Sequence, residues 1–74
     1  MDKFGEKLQL LRQRQGLSQS QLAEMLGVTR THVSRMERGE KIPNIAMLLK
    51  IANIFGVTTD LLIRDEIEIK DLSI

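Results

Sequence analysis

The side chains best equipped for chemistry in this chain cluster between positions 30 and 41, where Arg30, Arg35, Arg38 and Lys41 stand among the hydroxyl residues Thr31 and Ser34. Groups of these types donate hydrogen bonds. An arginine in particular presents two parallel donors, the geometry that fits the O6 and N7 acceptors of a guanine edge. The residue types that are missing restrict the chemistry to recognition. There is no cysteine, a single histidine (His32), no glycine-rich phosphate loop and no pair of histidines at metal-binding spacing. Neither an activated nucleophile nor a metal centre has a motif to build on. The expectation is therefore a binding protein: no enzyme, no catalytic residues, no cofactor and no metal.

A binding face needs an element to carry it, and the stretch QSQLAEMLGVTRTHVSRMER, residues 19–38, supplies one. Leu22 and Leu26 lie one helical turn apart, and Ala23 is small where a second helix must cross closely. Gly27 permits a sharp turn, Val28 is an apolar plug within it, and Thr29 is a capping residue. Val33 and Met36 then seat the following helix on the core, which leaves Arg30, Thr31, Ser34 and Arg35 on its other side. A helix face of that composition is suited to the major groove of DNA.

The rest of the chain reads in the same way. Glycines at 16, 27, 39 and 56 fall where helices stop, and Ser18, Thr29, Asn44 and Thr58/Thr59 stand where the next ones start. Apolar recurrence at three and four residues (Phe4, Leu8, Leu11; Leu48, Ile51, Ala52, Phe55) predicts five helices at about 3–15, 19–26, 30–37, 45–55 and 59–64. The fold class expected is all-α, a five-helix domain over 1–64, followed by a short extended tail over 65–74. In the tail Ile67 and Ile69, then Leu72 and Ile74, alternate with polar residues as in a β-strand, and the slip of phase between the two pairs makes it either one strand with a bulge or two short extended pieces. Net charge is only +1, but residues 1–41 hold eight basic against five acidic side chains and 42–74 three against five, so the positive surplus accompanies the arginine-bearing helix. The apolar runs are far shorter than the roughly 20 residues that cross a bilayer. Together with the absence of cysteine, this leads us to expect a cytoplasmic protein with no membrane partner.

On these residues the chain resembles the Cro/C1-type helix-turn-helix proteins, the phage-repressor-like XRE family. The likeness runs through Leu17-Ser18-Gln19, Leu22-Ala23, Gly27-Val28-Thr29, the stretch Val33 to Gly39, Pro43, Leu48 with Ile51-Ala52, and Val57 with Asp60-Leu61-Leu62. It covers about Phe4 to Arg64. The resemblance implies a sequence-specific transcriptional regulator of double-stranded DNA with 30–37 as recognition helix. It implies that Arg30, Thr31 and Arg35 face bases, and that Gln19, Ser34, Arg38, Lys41 and Asn44 meet the phosphate backbone. It further implies that Arg12 and Glu37 form a structural ion pair. His32 and Glu40 depart from the small or basic residues common at their positions, which tells against phosphate contact there.

The four aliphatic side chains of the tail exceed what a five-helix core needs. We expect Ile67, Ile69, Leu72 and Ile74 to form a homodimer contact, so that two recognition helices read an inverted repeat. The alternative is an antitoxin or other regulator whose partner is a protein, with or without DNA binding, since this fold serves both.

Overall fold

The computed structural model describes residues 1–69, and within them five helices follow in the order α1 (Phe4–Arg14), α2 (Gln19–Leu26), α3 (Arg30–Glu37), α4 (Ile45–Phe55) and α5 (Thr59–Ile63). Four of them begin on a side-chain cap. Ser18 accepts from the Gln21 amide while Gln21 reaches back to the Ser18 amide, a capping box at the head of α2. Thr29, Asn44 and Thr58 each accept from the amide three residues on, opening α3, α4 and α5. Gly27, at φ +73°, ends α2 in the left-handed conformation and lets the chain turn directly into α3.

One core holds the helices. Leu8, Leu22, Leu26, Val33, Met36, Ile51 and Leu62 are wholly buried, joined by Phe4, Leu11, Ala23, Leu48, Ala52 and Phe55. Each large side chain taken from water contributes about 1.5–3 kcal/mol, which is what stabilises helices too short to persist alone. The second and third helices pack against each other, and α1 crosses the end of α3 closely enough that Gly5 is required there. A Cβ at Gly5 would lie 2.7 Å from the Met36 carbonyl oxygen and nearer still to that of Glu37.

The two ends of the described chain are tied together by two charged side chains. The Asp65 carboxylate accepts from the amides of Asp2 (3.0 Å) and Lys3 (2.9 Å), and the N-terminal ammonium lies 3.6 Å from it. In the opposite sense Lys7, buried in spite of its charge, donates to the carbonyls of Leu61 (2.6 Å) and Arg64 (2.7 Å), the open C-terminal end of α5.

These contacts correct the expectation of a strand in the tail's first half. Residues 65–67 form a turn, with the Ile67 amide on the Arg64 carbonyl at 3.1 Å, and there is no strand among the described residues. Asp65 is held at the start of α1, so the chain turns back on itself, and Ile69 packs against the core of the five helices. Leu72 and Ile74 lie outside the described residues.

Candidate nucleic-acid interface

Helix α3 has two unlike sides. Val33, Met36 and Glu37 are buried, whereas Arg30, Thr31, Arg35 and Arg38 are exposed and Ser34 is half-buried between them. This division follows from the spacing, because positions 33, 36 and 37 share one face of a 3.6-residue helix. Thr31 and Arg35 come together with Lys41, Thr29 and His32 around a polar hollow of about 180 Å³. His32, which the sequence reading set aside, thus stands beside two residues it singled out.

The buried side carries a polar network that fixes where α2 begins relative to α3. Arg12 at the end of α1 donates from Nε to Glu37 Oε2 (2.6 Å) and from Nη2 to Oε1 (3.1 Å), and its Nη1 reaches the Leu17 carbonyl (2.8 Å). Gln19, first residue of α2, adds its Nε2 to Glu37 Oε1 at 3.0 Å. With an ionised carboxylate as acceptor, the amide nitrogen must be the atom that faces it. The two-point Arg–carboxylate geometry and the third donor satisfy a pair that would otherwise be costly to bury. Among the described residues no buried side-chain polar atom lacks a partner.

Gln19 is therefore half-buried and directed inward by its amide nitrogen, while Ser18 and Ser20 on either side of it at the α2 N-terminus are exposed. Asn44 spends its Oδ1 on the cap of α4, and Lys41 is exposed between the two helices. Two contributors escaped the sequence reading. Lys7 counted toward the positive surplus of the first half, yet it is a buried helix cap, and only its spacing from Phe4 and Leu11 on the apolar face of α1 hinted at this. Gly5 carried no local signal at all, since its reason is the backbone of α3.

Among the described residues there is no group of three or more metal-ligating side chains, and no helix is long and apolar enough to cross a membrane.

Five short helices, with a capped pair at a glycine turn and arginines along the outer side of the second, define a helix-turn-helix domain. The chain belongs to the helix-turn-helix family HTH_3, whose pattern it matches over residues 8–62. It is 41% identical over 61 residues to an SPbeta prophage-derived uncharacterized HTH-type transcriptional regulator, YonR, of Bacillus subtilis, covering 82% of this chain and 56% of that protein. It is 48% identical over 63 residues to the HTH-type transcriptional activator BcrR of Enterococcus faecalis, covering 85% and 31%. The chain thus spans little more than half of one relative and under a third of the other. Among solved structures it is similar to the P22 c2 repressor in complex with a synthetic operator, with TM-score 0.78, 30% identity and coverage of 82% of this chain and 92% of that one. It is also similar to the restriction-modification controller protein C.AhdI of Aeromonas hydrophila, with TM-score 0.73, 36% identity and coverage of 82% and 88%.

Proposed function

We propose that this chain is a sequence-specific DNA-binding transcriptional regulator that lays α3 in the major groove. The observation that carries the reading is the outer side of α3, where Arg30, Thr31 and Arg35 are exposed together on a helix whose other side is locked into the core. In this reading those three side chains meet base edges. Gln19 with the α2 N-terminus, Ser34, Arg38, Lys41 and Asn44 meet phosphates and set the register. The likeness to a repressor solved in complex with a synthetic operator supports DNA binding by this domain.

The reading includes a homodimer on an inverted repeat, because one module buries only about 600–1,000 Å² on DNA and two read two half-sites. The contact is assigned to α5 and the tail, the domain proper being 1–64 and the dimerisation segment 65–74. Ile63 and Ile67 are exposed and support it, whereas Ile69 is engaged at home. A protein partner has its own support: Ile45 and Leu49, one turn apart on α4, are 76% and 52% exposed, with Ile42 at 74% just before them.

Selection of bound sites from a random duplex pool tests the reading. An enriched inverted repeat with half-sites about 34–36 Å apart, or a multiple of that, is expected; no enrichment over input sinks it. Sedimentation then separates the interfaces. Removal of residues 70–74, which spares Asp65, should weaken self-association if the tail holds the dimer. Loss of association in Ile45→Glu/Leu49→Glu but not in the truncation would move the contact to α4.

A further inference from the structure

Just beyond α3 the backbone of an acidic residue, Glu40, is held in place. The Gly39 amide donates to the Met36 carbonyl (3.1 Å) and the Glu40 amide to the Arg35 carbonyl (2.9 Å), the two bonds of a Schellman turn that closes α3. Glu40 is thereby kept one turn past Arg35. Its Oε1 lies 4.0 Å from Arg35 Nε and its Oε2 3.3 Å from Arg38 Nε, with the three side chains 51%, 59% and 58% exposed. Pairs so open to water add little to stability. Their position matters more, since they set a negative charge beside two arginines of the face that carries the proposed contacts.

We propose that Glu40 sets the discrimination of this face between matching and non-matching DNA, an inference that rests on the DNA-binding reading above. Both arginines turn Nε toward Glu40, and this leaves their terminal nitrogens for other acceptors. A guanine edge can take those outer donors of Arg35 while its Nε stays with the carboxylate. In a complex without a base match Arg35 swings aside to a phosphate and leaves Glu40, so that part of the carboxylate's charge stands uncompensated beside the duplex, an arrangement that like-charge repulsion disfavours. The carboxylate thus weakens contact that brings no base match more than contact that does.

The test measures affinity of the full chain for its selected duplex and for a scrambled duplex, at one physiological salt concentration, in wild type, Glu40→Gln and Glu24→Gln. Glu24, exposed on α2 and outside both the proposed DNA contacts and the dimer segment, controls for net charge. In Glu40→Gln the ratio of matched to scrambled affinity should fall about tenfold, roughly what one or two added phosphate contacts supply. Glu24→Gln should leave the ratio within about twofold, the scale expected of a screened surface charge. An unchanged or higher ratio in Glu40→Gln, or an equal fall in Glu24→Gln, overturns the role of Glu40 alone. A wild type with no preference between the duplexes overturns the DNA reading itself.

Discussion

Glu37 and Glu40 stand three residues apart at the end of the same helix, and each is paired with arginine, yet they serve opposite ends. Glu37 is almost wholly buried, with side-chain exposures of 3% for it and 11% for Arg12, and is bound by three donors at 3.1 Å or less. Glu40 lies in water, at 3.3 and 4.0 Å from its arginines. A charge removed from water must keep its partners or destabilise the fold, whereas a charge in water is free to exchange them. The inner pair is a fixture of the architecture. The outer one is available for the work of the surface.

The sharpest way to break this contrast is Glu37→Ala, which strands the Arg12 guanidinium and should lower unfolding free energy by about 3–5 kcal/mol. Replacing both partners by apolar residues, Arg12→Met with Glu37→Leu, should recover most of that loss, and urea denaturation reads both. If Arg12→Met and Glu37→Leu measured singly simply add up to the double variant, the pair is not coupled and the inner fixture is a misreading.

Gly5→Ala probes the same inner side through the backbone. A methyl group driven against the Met36 and Glu37 carbonyls should force α1 off α3, with a stability loss of about 1–3 kcal/mol. A thermal midpoint equal to wild type would show that α1 moves aside without penalty.

On the outer side the expectation reverses. Arg35→Ala should leave stability within about 0.5 kcal/mol while weakening binding to the selected duplex by about 1–3 kcal/mol and relaxing preference at one or two base pairs of each half-site. Unfolding and binding curves on one preparation check this together, and a large stability loss would mean that the outer face is structural too.

The smallest effect is expected at Asp65. The Lys3 amide foremost, then the Asp2 amide and the N-terminal ammonium, hold its carboxyl below the usual 3.8 against an opposing cost of desolvation. A lowered folded-state value means that Asp65 favours the fold above about pH 4, and that this contribution is lost as pH falls through the folded value. Asp65→Asn should accordingly flatten the acid limb of stability below that pH. An acid limb identical to wild type would show that the clasp contributes nothing.

How much of this could be read beforehand depended on whether the cause was local. Helices α2, α3 and α4 run over the residues their caps, glycines and apolar spacing predicted, and α1 and α5 are shorter only at their ends. The outer face of α3 followed from the positions of Val33 and Met36. The same reasoning misplaced Lys7, whose burial depends on α5, and read a strand into 65–69, where a carboxylate captured by α1 turns the chain instead.

The sequence by itself therefore determined the five helices, the sharp turn between α2 and α3 and the division of α3 into an apolar and a cationic side. All of these arise from capping, backbone freedom and periodicity within a few residues of one another. Only the tertiary structure decided which charges are architecture and which are surface. Glu37 and Glu40 are the same residue in neighbouring turns, and Lys7 and Lys41 the same residue in the same basic half. What separates them is whether another helix removes them from water and supplies their partners, and those helices come from 18 to 57 positions away in the chain.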